Sequence, residues 1–411
     1  MPISERPIFF YGDPDMTDSP SAAARFSRRV AQISMSATKH MAVLASRVPG
    51  CVSLGQGVPS FPTPPHILEA VAAALRGDPA IGRYTLQSGM PQLRRAIAEM
   101  YRNSRGITVD PETEVGITVG AMEGLLTAIL TVVERGDEVI LPSPTYASHI
   151  EQVLLAEGIP LFVPLRAADW RLDPDAVEAA ITPRTRAVIL CNPGNPTGTV
   201  FPDSDIDALC ALAQAHDLWI ISDETYDFLV YDEPPPQSPA TREAVRQRVI
   251  TVGSFSKKYA MTGWRVGWVA AAEPVMAQIM KVHDATAICA PTPSQVAALA
   301  ALSGPQDCVA DMRCVLAKRR EQCCRRLEAL AGQFSYVRPR GAFYVMACYR
   351  FSQEPSQQVA ERMLNEAGVI TIPGGSFGPN GEGHLRLSFG GTESEIDTAF
   401  DRIEQWLQER T

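Results

Sequence analysis

The chain has no uninterrupted apolar run approaching the roughly 20 residues that a membrane helix needs, which excludes a membrane-spanning helical protein. It has no excess of positive charge either. Lys and Arg total 37 against 46 Asp and Glu, a formal net charge of −9, so a nucleic-acid partner finds no broad positive field. Histidine is scarce. His40, His66, His149, His216, His283 and His384 are scattered, with neither an HExxH string nor Cys/His ligand spacing, and no metal site is expected. The nine cysteines form no CxxC pair and include the adjacent Cys323 and Cys324, a pattern of reduced thiols in a cytosolic interior. There is no GxSxG elbow and no P-loop. Near the N-terminus, Glu5, Asp13, Asp15 and Asp18 replace the apolar core of a secretory signal, and these acids also oppose a transit-peptide reading of the Ala/Ser/Arg-rich segment Ser19 to Arg29. A cytoplasmic location is the expectation.

What is present is apolar material for a large core. The 411 residues are 45% hydrophobic and 20% charged, ordinary for a globular protein, and the length suggests two to three domains. Residues 1–27 mix Pro, Ser, Asp and Gly and read as a loose arm. Val30, Ile33, Ala37, Met41 and Leu44 recur with helical spacing, predicting a helix over 28–47 before the Pro49-Gly50 turn and a short strand at Cys51–Leu54. Thr63-Pro64 reads as a helix N-cap and first turn, with Gly77 as the stop, and a second such unit runs from Met90-Pro91 to Gly106.

From Val115 onward, short apolar runs alternate with amphipathic stretches. The runs are Gly116–Val119, Glu138–Leu141, Ala187–Leu190, Leu218–Ile221, Val249–Val252 and Val266–Val269. Runs without polar alternation imply burial on both faces, so the expected architecture is α/β, a mostly parallel sheet sandwiched by helices with sites at the carboxyl ends of strands. After about Gly304 the pattern changes to a long Arg-rich helix over 307–332, a strand at Gly341–Met346, a helix over 359–367, and strands near Val369 and His384. This predicts a smaller α+β domain over 304–411 that recruits 28–63, leaving 64–303 as the large domain.

The chemistry is concentrated in Ser254-Phe-Ser-Lys257-Lys-Tyr-Ala-Met-Thr-Gly-Trp-Arg265-Val-Gly267. A lysine amine condenses with an aldehyde to a Schiff base, a guanidinium grips phosphate through a planar fork of donors, and a serine hydroxyl adds to that grip. Asp223, after a buried-type strand, can hold a protonated pyridine nitrogen and make the ring an electron sink. Thr118-Val-Gly-Ala121-Met122-Glu-Gly124 can present backbone N–H groups to an anion at a helix N-terminus. Taken alone, each has a bland alternative: Asp223 as a capping residue, the glycine junction as a turn, and Arg386 in His-Leu-Arg386-Leu-Ser-Phe as a solvated strand arginine.

Together the motifs, spread from about Gly55 to Arg386, resemble those of class I aminotransferases, enzymes of the pyridoxal 5′-phosphate (PLP) fold-type I group of aspartate aminotransferase type. The resemblance implies a large domain with a seven-stranded, mostly parallel sheet. It implies that Lys257 bears the cofactor as a Schiff base, while Ser254, Arg265, Ala121 and Met122 surround its phosphate. Asp223 meets the ring nitrogen, Tyr226 and Asn195 of Asn192-Pro-Gly-Asn-Pro-Thr-Gly198 meet the ring hydroxyl, and Tyr146 stacks on the ring. Arg386 clamps the substrate α-carboxylate, with Gly57 of Leu54-Gly-Gln-Gly-Val-Pro-Ser60-Phe61 and Asn195 close by. Tyr84 is lent to the phosphate of a neighbouring subunit, which implies a homodimer with shared active sites. Many relatives carry an acidic residue where this chain has Ser60. Lys258 is a decoy, because the spacing to Ser254 and Arg265 selects Lys257.

The expected reaction is transamination. Lys257 yields the cofactor to a neutral, aromatic or dicarboxylic L-amino acid, moves a proton between Cα and the cofactor's imine carbon, and a 2-oxo acid such as 2-oxoglutarate then receives the amino group. The amine must be substantially neutral near pH 7, which burial and nearby cations achieve. A β-eliminating carbon–sulfur lyase is the alternative. A regulator that kept the fold is disfavoured, since the N-terminal arm is too short for a DNA-binding domain. Ser34–Thr38 and 288–292 are the expected side-chain pocket, suiting neutral or aromatic amino acids better than aspartate.

Overall fold

The computed structural model describes residues 26–410, so the arm read over 1–27, apart from Phe26 and Ser27, and most of the Ser19–Arg29 segment lie outside the described residues. Seven strands form the main sheet: β2 (Val115–Thr118), β3 (Glu138–Ser143), β4 (Ile159–Pro164), β5 (Thr185–Cys191), β6 (Trp219–Asp223), β7 (Val249–Ser254) and β8 (Gly267–Ala271). Their order is β2-β8-β7-β6-β5-β3-β4. All neighbours run parallel except β8, which is antiparallel to both β2 and β7. The non-alternating apolar runs are explained by strand geometry, since successive side chains point to opposite faces and both faces are covered. In β5, Ala187 and Ile189 pack on one side with Leu125 and Ile129, while Val188 and Leu190 pack on the other with Ile206 and Leu209. Fully burying each such aliphatic side chain contributes about 1.5–3 kcal/mol, so the sheet centre is the stable platform from which the carboxyl-end loops project.

A second sheet, antiparallel, has the order β12-β13-β10-β9, with β9 (Phe334–Tyr336), β10 (Tyr344–Tyr349), β12 (Ile372–Pro373) and β13 (His384–Ser388). Far apart in sequence, β1 (Val52–Ser53) pairs in parallel with β11 (Val369–Ile370). The C-terminal helix Glu393–Gln408 starts in a capping box in which Thr392 and Glu395 satisfy each other's backbone N–H groups.

The structure corrects several expectations. The helix predicted over 28–47 is broken into Arg28–Ala31 and Ala37–Ala45. Ser34 and Ser36 favour extended backbone over helix interior, and Ser36 is extended at φ −57°, ψ 136°. Thr63 is not an N-cap. Pro64 occupies that position and Pro65 the first turn, while the Thr63 hydroxyl donates to the Ala260 carbonyl at 2.9 Å and accepts from Trp264 Nε1 at 3.2 Å. β4 escapes the apolar-run reading because Pro160 and Pro164 interrupt it, as an edge strand permits. The strand predicted at Gly341–Met346 begins three residues later, after Ala342 takes a left-handed φ of 52°.

Candidate active site

Lys257 sits just beyond the carboxyl end of β7, in the loop that returns through the turn Thr262–Trp264 to β8. Its Nζ donates to the Gly57 carbonyl at 2.5 Å. Burial first, then the Arg386 and Arg265 guanidiniums, bring the amine's pKa down to about 8 against an opposing pull from Asp223. An amine so placed is available as a nucleophile and as a base at moderate pH.

Next to it lies a cradle for an anion. Gly120 opens the helix Gly120–Val132 at φ +76°, and a Cβ there would come within 2.5 Å of Arg265 Nη2, so the guanidinium lies directly against the helix N-terminus. Arg265 itself adopts a left-handed φ of 51° and is tied back through Nη1 to the Thr262 carbonyl at 2.9 Å. Ser254 Oγ accepts from the Ser256 N–H at 3.1 Å, leaving its own proton to give. Free N–H groups at a helix start, a fork of guanidinium donors and a hydroxyl form the donor set of a phosphate site.

Asp223 ends β6, and its side chain is 5% exposed. Burial pushes its carboxyl up, but the His149 ring and Thr225 outweigh that and hold it below the usual carboxylate range. His149 Nε2 lies 3.3 Å from Asp223 Oδ2, and its Nδ1 lies 3.2 Å from Thr145 Oγ1. The His149 ring also meets Tyr146 edge-on at 5.4 Å. Tyr146 reaches Met122 Sδ with its hydroxyl at 3.7 Å, and the Met122 carbonyl accepts from Gln152 at 2.8 Å. Ala121 belongs to the same first turn as Gly120.

On the opposite wall, Arg386 of β13 is 3% exposed. Its Nη1 donates to Asn195 Oδ1 at 3.1 Å and its Nη2 to the Gly55 carbonyl at 2.7 Å, while Nε is buried without a partner among the described residues. The guanidinium is held between the Tyr344 ring at 4.6 Å and the Phe377 ring at 5.0 Å. The Tyr344 hydroxyl lies 2.9 Å from that of Tyr226.

The structure therefore brings Lys257, Asp223, Tyr226, Tyr146, Met122, Ala121, Asn195, Ser254, Arg265, Gly57 and Arg386 around one site. Tyr84 is apart from them, 76% exposed on a loop fixed from behind by Thr292 and Gln295. Ser60 accepts from buried Arg319 at 2.9 Å. His149, Thr145, Tyr344 and Phe377 are site residues that spacing does not reveal. Only the placement of Tyr146 and Arg386 in sequence hints at near neighbours, three residues on for His149.

The residues fit PLP: a half-buried, partly neutral amine, a phosphate cradle that a side chain at Gly120 would fill, a buried carboxylate, and a buried arginine with an unspent donor. Fold and site together define a PLP-dependent enzyme of the aspartate aminotransferase fold. Residues 49–403 match the model for aminotransferase class I and II, and the chain belongs to that family. It is 36% identical to aromatic-amino-acid aminotransferase 2 of Thermococcus litoralis, over 93% of this chain and 98% of the relative. It is 35% identical to the aspartate aminotransferase of Pyrococcus abyssi, over the same shares. Among solved structures it superposes on the Thermus thermophilus aspartate aminotransferase with maleate at a TM-score of 0.87, with 34% identity, covering 93% of this chain and 99% of that one. The protein is a PLP-dependent transaminase.

Proposed function

We propose that Lys257 holds the cofactor and that the enzyme moves the amino group of a neutral or aromatic L-amino acid to a 2-oxo acid such as 2-oxoglutarate. The observation carrying this reading is the half-buried Lys257 amine beside the Arg265–Gly120 cradle, with buried Asp223 and Arg386 on the surrounding walls. When bound, the cofactor supplies an electron sink that acidifies the substrate Cα–H. Asp223, kept ionised by His149, holds the ring nitrogen, and Tyr226 and Asn195 face the ring hydroxyl. Arg386 takes the substrate α-carboxylate with its unspent Nε and the face left by Asn195. The Lys257 amine, once free, would take the proton from the substrate Cα and hand it to the cofactor's imine carbon, two bonds away. The apolar surfaces of Met122, Tyr146, Tyr344 and Phe377 favour neutral or aromatic donors over aspartate. Both relatives named aromatic and relatives named aspartate aminotransferases are compatible with the scaffold.

We further propose a cytoplasmic homodimer in which exposed Tyr84 completes the partner's phosphate site; its exposure and braced loop support this. The test of function is to screen twenty amino acids as donors against several 2-oxo acids. Acceptor-dependent transfer, best with neutral or aromatic donors, is expected. Pyruvate and ammonia released without an acceptor would indicate the lyase instead.

A further inference from the structure

We infer that Tyr344 is a positioning residue of the reaction: its hydroxyl donates to Tyr226 and thereby commits the single Tyr226 proton to the ring hydroxyl of the cofactor. This rests on the proposed reading that Tyr226 faces that ring hydroxyl.

The geometry leaves little freedom. Tyr344, on β10, is 1% exposed, and its ring meets that of Tyr226 edge-on at 5.8 Å with the two hydroxyls 2.9 Å apart. A phenol has one proton to give. Burial raises both phenols, Tyr344 to about 12 and Tyr226 well above its ordinary value, so both protons stay in place over the working range. The other titratable groups facing Tyr226 are Cys191 and Tyr146. Two protons then serve two bonds. If the Tyr226 proton goes to the cofactor oxygen, the Tyr344 proton must fill the bond between the phenols, and a bond chain polarised this way makes Tyr226 a stronger donor.

Close packing against Gly57 confines the Tyr344 hydroxyl at this point. A Cβ on Gly57 would come within 2.5 Å of it, so only glycine leaves room there. The same Gly57 offers its carbonyl to Lys257, and the Tyr344 ring supports Arg386. The hydroxyl is thus separable from the ring: one acts on Tyr226, the other on Arg386.

The test is Tyr344→Phe, which keeps the ring against Arg386 and removes only the hydroxyl, compared with Tyr226→Phe. The first readout is the pH midpoint of the absorbance change of the bound cofactor chromophore. A donor on the ring oxygen favours its anionic form, so losing the donor raises the midpoint. Tyr226→Phe is expected to raise it. Tyr344→Phe is expected to raise it in the same direction by less, and to lower kcat about two- to tenfold, the worth of one hydrogen bond. KM for the amino donor should stay within about twofold, because the ring face on Arg386 remains. Gly57→Ala, which pushes the same hydroxyl aside, should move the midpoint the same way and decides the matter if Tyr344→Phe does not fold. A midpoint moved by Tyr226→Phe but unmoved by Tyr344→Phe, or a raised KM with a fixed midpoint, overturns the inference while leaving the Tyr226 reading intact. A midpoint unmoved by Tyr226→Phe overturns that reading and the inference with it.

Discussion

Lys257 is held half-buried as an amine beside two guanidiniums, and the fold carries a cost for keeping it there. Its pKa falls from 10.5 to about 8, a difference worth about 3 kcal/mol. Between those two pH values the unfolded chain binds the proton that the native chain has released, so stability rises with pH through this window. Below pH 8 the whole cost is present. Cofactor-free Lys257→Met is therefore expected to be about 3 kcal/mol more stable than the cofactor-free parent in urea unfolding at pH 7, with the gap closing above pH 10. An equal gap at both pH values would contradict this. Arg386 makes a complementary prediction. Its Nε is buried without a partner among the described residues and its ring supports pre-align the fork, so Arg386→Leu should raise KM for the amino donor about 100-fold or more, the value of a charge-assisted pair of hydrogen bonds. Steady-state kinetics reads it directly, and an unchanged KM would show that the carboxylate binds elsewhere.

At the scale of elements, the helix Gly120–Val132 matters chiefly through its first residue. Gly120→Ala forces a side chain into a left-handed backbone and against Arg265. The expectation is a PLP dissociation constant raised at least about tenfold, with the circular-dichroism spectrum unchanged; unaltered affinity would mean that the phosphate lies elsewhere. The same helix start was readable as Gly-Ala-Met-Glu after a strand-like run, and the Lys257 loop was readable because its amine, hydroxyl and guanidinium are contiguous. Other parts were hidden for physical reasons. β4 carries prolines that only an edge position tolerates, and edge position is a property of the finished sheet. The break at 32–36 depends on serines whose helical alternative was equally periodic. His149 and Tyr344 join the site through contacts to residues 74 and 118 positions away, which no local pattern encodes. Thr392 and Glu395 do carry a local helix-start signal, visible as a capping box rather than as an apolar run.

For the whole molecule, the two layers of buried side chains fix where the strand ends point, and the second sheet brings Arg386 and Tyr344 over those ends. One subunit leaves Tyr84 outside, 76% exposed. If Tyr84 serves the partner, Tyr84→Ala and Lys257→Ala subunits are each defective, yet a mixed dimer contains one complete site built from the lysine of the first and the tyrosine of the second. Mixing and re-equilibrating the two variants should restore transaminase activity, and no recovery despite confirmed subunit exchange would contradict the shared site. The proposed chemistry depends on where the cofactor is attached. Borohydride reduction of the PLP-loaded enzyme followed by peptide mass spectrometry should find the pyridoxyl group on Lys257. Attachment at Lys258 or another amine, or no fixed cofactor at all, would contradict it.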